Sequence, residues 1–153
     1  MKRWILGTFF VWTLVGAVAL AALSTRASAP PQVVVGHGKI AWQPSFEAGM
    51  QAARDQGKPA LLVFTSKNCT YCREMERTTW QDARVQAQTR GVVPVLVDGD
   101  ARIDLLQAYG VDGFPTMLLV AGNGKPFAGK AGYIAPDEFS AWLKEARAKA
   151  KSS

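Results

Sequence analysis

From Trp4 to Ser24 the chain carries no charge and is rich in Leu, Val, Ala, Phe and Trp, directly after the basic start Met1-Lys2-Arg3. A basic start followed by an apolar core is the pattern of an export segment. Ala27-Ser28-Ala29 supplies the small residues of a cleavage site, although Pro30 as the next residue obstructs the leader peptidase. The apolar run also reaches the roughly 20 residues that a bilayer span needs. Residues 1–29 are therefore expected to be an uncleaved membrane anchor or a cleaved signal peptide, with a buried core helix as the remaining alternative. Lys2 and Arg3 would stay cytoplasmic and put the rest of the chain outside, where a disulfide persists. Residues 30–38, with Pro30-Pro31 and Gly36-His37-Gly38, read as a linker.

From Lys39 onward the pattern alternates between helical and strand periods, and one domain is expected over 39–153. Phe46, Met50 and Ala53 form a helical stripe that Ser45 starts as N-cap and Gly57-Lys58-Pro59 stops. Ala60 to Thr65 is a continuous apolar run, as in a strand buried on both faces. Helices are expected from Cys69 to about Thr79, from Asp82 to Thr89 and over Leu105 to Tyr109. Strands are expected over Val92 to Val97, Thr116 to Val120 and Pro126 to Ala131. Pro94 cannot donate a ladder bond, which puts its strand at an edge or a bulge. Pro136-Asp137 opens a final helix through Lys149, with Phe139, Trp142 and Leu143 facing inward. Strand-helix-strand followed by a hairpin and a helix predicts a compact α/β sandwich.

Composition changes this picture only by exclusion. With 153 residues, 48% hydrophobic and 20% charged, the chain is neither a disordered tail nor a mini-protein. The net charge of +6 could suggest a nucleic-acid partner. However, Lys2, Arg3 and Arg26 fall in the acid-free first 29 residues, which leaves 15 basic against 12 acidic residues in the rest. No nucleic acid is expected. Two cysteines and one histidine cannot complete a four-ligand zinc site. His37, between two glycines, is expected to be exposed and incidental.

The chemistry concentrates at Cys69-Thr70-Tyr71-Cys72, at the start of a helix that follows a buried strand. The free amides and positive dipole end of a helix N-terminus stabilise a thiolate at the first cysteine. Lys67 and Arg73 add positive charge there. Cys69 is then the exposed nucleophile, and Cys72, one turn on, is the resolving thiol that breaks a mixed disulfide. Two other readings stay open: a structural disulfide, and a soft-metal site, for instance for copper(I), with Met75 one turn further on.

With Tyr109-Gly110-Val111 and Gly113-Phe114-Pro115-Thr116 added, the sequence resembles the thioredoxin family over roughly Ile40 to Lys149. Within it the chain is similar to the exported thiol-disulfide interchange subgroup. The resemblance implies an α/β thioredoxin-like fold with a central mixed sheet flanked by helices, a cis peptide bond before Pro115, and a Phe114 backbone left to pair with an extended substrate strand. Tyr71, Phe114, Pro115 and Thr116 become the substrate-binding candidates. Glu76, four residues past Cys72, matches an acidic residue that assists proton transfer in that subgroup. The sequence also departs from the family pattern. Val63 stands where a buried Asp is common, six residues before Cys69. Asn68 replaces the usual Trp and is expected to cap the helix. Thr70-Tyr71 carries no charge between the cysteines, which argues against an extreme oxidant. The implied activity is a periplasmic thiol-disulfide oxidoreductase, favoured as a reductase, with a disulfide-introducing oxidase and a copper-binding or binding module as rivals. It would need no cofactor beyond the Cys69–Cys72 pair. Its partners would be exported cysteine-containing proteins and, as electron donor, a membrane thiol transporter, with membrane contact through the N-terminal segment if that is uncleaved.

Overall fold

The computed structural model describes residues 40–151. The export or anchor segment and the 30–38 linker, with His37, lie outside the described residues. Among those described, no helix is long and apolar enough to cross a membrane.

Four strands, β1 (Ala60–Thr65), β2 (Val93–Asp98), β3 (Thr116–Val120) and β4 (Pro126–Ala131), form one mixed sheet in the order β2-β1-β3-β4. β1 runs parallel to β2 and antiparallel to β3, and β3 runs antiparallel to β4. The parallel pair needs a long crossover, which α2 (Thr70–Arg77) and α3 (Ala83–Thr89) supply. Before the sheet comes α1 (Phe46–Gln56). α4 (Ile103–Tyr109) precedes β3, and α5 (Pro136–Lys151) closes the chain.

The apolar run of β1 is buried on both sides because successive side chains alternate between two cores. Leu61 and Val63 join Trp42, Met75, Trp80, Met117, Leu119, Phe139 and Leu143 on one face. Ala60, Leu62 and Phe64 join Met50, Ala53, Val95, Val97, Leu105 and Val120 on the other. The first core is built around aromatic edges: Trp80 meets Trp42 at 5.5 Å and Phe139 at 5.0 Å between ring centroids, both near perpendicular.

Element boundaries follow local chemistry. The Ser45 hydroxyl accepts from the Ala48 N–H at 3.1 Å and starts α1, and Gly57 ends it in the left-handed region at φ 60°. The expected 69–79 helix is divided. α2 stops at Arg77, and Thr79–Gln81 forms a separate 3-10 turn. The cause lies in two β-branched neighbours: the Thr78 hydroxyl donates back to the Glu74 carbonyl at 2.8 Å, and the buried Thr79 hydroxyl donates to the Ile134 carbonyl at 2.7 Å. The second bond ties the end of α2 to the segment entering α5. β2 is an edge strand of the described sheet, as Pro94 required. The Pro94 carbonyl accepts from the Gln43 N–H at 2.9 Å on the side away from β1. A strand residue aims its N–H and C=O the same way, so the donor that Pro94 lacks also faces the edge and β1 loses no ladder bond.

Candidate redox site

Cys69 and Cys72 are joined by a disulfide, with Cα atoms 5.2 Å apart. β1 delivers the chain to the site, residues 66–68 turn it, and α2 begins. Cys69 is itself the N-cap of α2: its backbone is extended, and its Sγ accepts from the Cys72 N–H at 3.0 Å. This corrects the expectation for Asn68, which is exposed and one position too early. The cap contact shows what the helix start offers a sulfur. A thiolate at Cys69 would receive an N–H donor and the positive end of the helix at the same point.

The two sulfurs differ in access. Cys69 is half-buried, whereas Cys72 is only 4% exposed and packs inward with Met75. Pro115 lies beside Cys72, and the Phe114–Pro115 peptide bond is cis. The Pro115 carbonyl accepts from the Gly132 N–H at 2.7 Å, and the buried Thr116 hydroxyl donates to the Gly113 carbonyl at 2.8 Å. Thr116 therefore holds the loop in shape rather than offering its hydroxyl outward.

The two candidate aromatics are not a pair. Phe114 packs on the second core and lies over Gly99, where a Cβ would come within 2.4 Å of its ring. Tyr71 is 62% exposed and instead stacks at a tilt on Tyr133, 6.4 Å between centroids. The hydroxyls of Tyr133 and Thr78 are hydrogen-bonded at 3.3 Å. Tyr133 has no local sequence signal, because it reaches the site only through the turn at Gly132, φ 82°.

The approach loop carries acids as well as bases. The Asp100 carboxylate accepts from the Lys67 N–H at 2.9 Å and from the Ser66 hydroxyl at 2.9 Å. The Lys67 N–H foremost, then the Ser66 hydroxyl, holds the Asp100 carboxyl below the usual carboxylate range. The Lys67 ammonium lies 4.0 Å from Asp98. The Arg73 guanidinium folds back to the Lys67 carbonyl at 3.1 Å. The positive field expected from Lys67 is thus partly offset by two carboxylates that sequence reasoning missed. Asp98 ends β2 and Asp100 lies two residues beyond it, where the parallel pairing brings them beside the end of β1.

Behind Cys72 is a cavity of about 10 Å³. Trp42, Val63, Met75, Glu76 and Trp80 line it together with Cys72. Val63, 2% exposed, occupies the place where a buried acid was absent from the sequence pattern. Glu76 is half-buried at the same cavity, and its carboxylate makes no ion pair among the described residues. The structure thus brings Cys69, Cys72, Glu76 and Pro115 together, with Tyr71 at the outer surface and Phe114 turned to the far core. Among the described residues, no group of three or more His, Cys, Asp or Glu is placed to hold a metal ion.

A family model described as a thioredoxin-like domain matches residues 46–147. The chain is similar to the thiol:disulfide interchange protein DsbD of Ralstonia nicotianae, 34% identical over 82 residues. That alignment takes in 51% of this chain but 14% of the relative, so the chain spans a small part of the relative's length. Among solved structures, a DsbH oxidoreductase superposes with a TM-score of 0.63 at 20% identity, covering 75% of this chain and 89% of that one. The oxidised C-terminal domain of DsbD from Neisseria meningitidis gives 0.57 at 24% identity, covering 66% and 91%. At these identities the two structures speak to the fold.

Proposed function

The chain belongs to the thioredoxin-like family, and from that premise we propose that it is a thiol-disulfide oxidoreductase of the bacterial periplasm that works chiefly as a reductase. One observation carries the reading: a half-buried Cys69 at a helix N-terminus is bonded to a buried Cys72 one turn later, beside Pro115. In the reduced state the Cys69 thiolate attacks a substrate disulfide. A Cys69–substrate disulfide forms and the first substrate thiolate leaves. Cys72 then loses its proton, attacks the Cys69 sulfur, and expels the second substrate thiolate. Two electrons pass from the cysteine pair to the substrate, and the pair ends as the disulfide seen here. The sulfurs carry those electrons themselves, so the step calls for no bound cofactor.

Glu76 is the proposed acceptor of the Cys72 proton, because it shares the cavity behind that sulfur. Tyr71, with Tyr133 beside it, and the Phe114–Pro115 backbone form the proposed substrate surface, and Thr116 shapes its loop. Two features support reduction over oxidation. Thr70-Tyr71 places no charge between the cysteines, and Asp98 and Asp100 offset Lys67. A strong oxidant depends on a highly stabilised thiolate, and these features remove stabilisation. The proposed substrates are exported cysteine-containing proteins. An oxidising compartment requires a donor, for which a membrane thiol transporter is proposed. Segment 1–29, as signal or anchor, would deliver the domain there.

Equilibration of the pair against a glutathione or dithiothreitol couple tests the direction. A potential below about −200 mV supports the reductase, and one near −120 mV overturns it in favour of an oxidase. Rapid alkylation of the protein in cells gives a second reading: a mostly reduced pair is expected.

A further inference from the structure

We propose that the end of the sheet opposite the redox site is a docking surface for a bilayer rich in anionic phospholipid headgroups. The inference goes beyond the redox reading and rests on the export reading of segment 1–29.

The strand registers define that end. Ala60, at the start of β1, lies beside Val93 at the start of β2 and Val120 at the end of β3. The α1–β1 and α3–β2 connections and the β3–β4 turn gather there. The last turn of α1 and its connection carry Arg54 and Lys58, the second connection Arg90, and the turn Lys125. α5 adds Arg147, whose guanidinium lies against Gly91 in the second connection. Among the described residues, none of these side chains makes an ion pair. Arg54 and Lys58 donate instead to the neutral amides of Gln51 and Gln56. The acids on the same segments are Asp55 and Glu145, and Glu145 is bonded to Lys149. The redox end is balanced by contrast: Lys67 and Arg73 stand there with Asp98 and Asp100. Like charges gathered without counter-charges repel one another, and a surface of opposite sign relieves that cost.

Two observations favour a lipid surface. The chain enters the fold at this end. Ala41 lines one groove with Lys58 and Arg90, and the parallel bridge of Gln43 to Val95 runs the entering segment along β2 in the direction of β2 itself. Residues 1–39, with the expected export segment among them, therefore join the domain at its basic end, and a membrane-held tether presents that end to the bilayer first. The second observation is Phe127, 38% exposed in a neighbouring groove that shares Lys58 and adds Arg54. An aromatic ring among cationic side chains suits the headgroup layer, where basic groups meet phosphates and apolar groups reach the acyl boundary. β1, six residues long, spans about 20 Å. Docking at its start thus holds Cys69 away from the bilayer, open to partners.

Full-length protein is reconstituted in vesicles of phosphatidylcholine, with or without phosphatidylglycerol. Lysines are acetylated with a water-soluble reagent and read by peptide mass, with Lys67 at the redox end as internal reference. Phosphatidylglycerol should slow acetylation of Lys58 and Lys125 relative to Lys67 by about fivefold, the scale of one basic residue at an anionic surface. Salt at about 1 M, which shortens the screening length to roughly 3 Å, should remove the protection. Arg54→Gln with Arg90→Gln should weaken docking about twenty-five-fold, at fivefold per charge, and leave the redox potential unchanged. An unchanged ratio to Lys67 in the two lipids, or protection that survives salt or the double variant, overturns the proposal. Protection by inorganic phosphate without vesicles overturns it too. The lipid and salt comparisons use wild-type protein alone, so they decide even if the double variant does not fold. Failure of the readings beneath it looks different. An oxidase-like potential changes the redox assignment and leaves the footprint intact, whereas a domain shielded from protease added to spheroplasts removes the export reading whatever the vesicles show.

Discussion

The rim around Cys69 and the chamber behind Cys72 lie one helical turn apart and are built by opposite rules. The rim is polar and solvated. Asp100 ties down the approach loop, Arg73 folds over it, and Tyr71 with Tyr133 offers exposed ring surface. The chamber is narrow and walled largely by apolar side chains, Val63, Met75 and Trp80 among them. A nucleophile that must meet large partners needs access and a donor for its charge. A resolving thiol needs shelter from competing disulfides and an exit for one proton. Under the proposed function, recognition falls to the rim and timing to the chamber.

The strongest way to break this division is to remove the chamber's sulfur. Cys72→Ala should abolish turnover and leave a stable mixed disulfide on Cys69, visible as a non-reduced adduct by mass, whereas Cys69→Ala should give no adduct. Val63→Asp attacks the apolar wall of the chamber. Burial raises the pKa of such a carboxyl above its unfolded value. The cost is therefore absent at low pH and appears as pH rises past the unfolded carboxylate range. A loss of about 3 kcal/mol at neutral pH is expected in urea unfolding, shrinking on acidification. Gly99→Ala tests the seat of the Pro115 loop from the far core. Its Cβ would meet the Phe114 ring at 2.4 Å and the Thr65 carbonyl at 3.1 Å. Overpacking of that kind costs roughly 1–3 kcal/mol, and Phe114→Leu in the same chain should return part of it.

Smaller effects are expected at the rim. Tyr71→Ala should change stability by less than about 0.5 kcal/mol yet weaken capture of a cysteine-containing partner, which titration of the trapped adduct would show. The smallest effect concerns Asp100. Its folded pKa lies below the unfolded value, so its contribution is complete above the ordinary carboxylate range and is lost as pH falls through the lower folded value. The protection of the Lys67 amide, its exchange rate relative to that of a free amide at the same pH, should therefore hold at mildly acidic pH and fall only below that range. In Asp100→Asn that protection should be reduced at neutral pH already.

Much of this architecture was legible along the chain. The double burial of β1 follows from its unbroken apolar run, the edge position of β2 from Pro94, and the start of α1 from Ser45. The Cys69–Cys72 spacing at a helix start pointed to a bonded pair, and the cis bond before Pro115 followed from the family resemblance of its segment. What escaped was contact between distant segments. Tyr133, past the end of β4, reaches Tyr71 on α2, and Asp100 reaches Lys67 through the β1–β2 register. Phe114 was expected at the substrate surface but packs over Gly99, because Gly99 leaves a space no local pattern records. The cap of α2 was placed at Asn68 from hydrogen-bonding propensity, while the sulfur of Cys69 takes that role. Propensity scales weigh oxygen acceptors and have no term for a sulfur held there by its partner.

Pro94 has a consequence beyond the path of its own strand. A sheet edge is a template on which any unpaired strand can add itself. Here one donor is absent by covalent structure, and the neighbouring acceptor is already taken by Gln43. Partly folded proteins, with cysteines unpaired and strands unformed, are ready sources of such additions. An oxidoreductase that handles them at one end of its sheet gains from an edge that does not invite their backbone. Electrons can then be exchanged with an unfinished chain at little risk of polymerising with it.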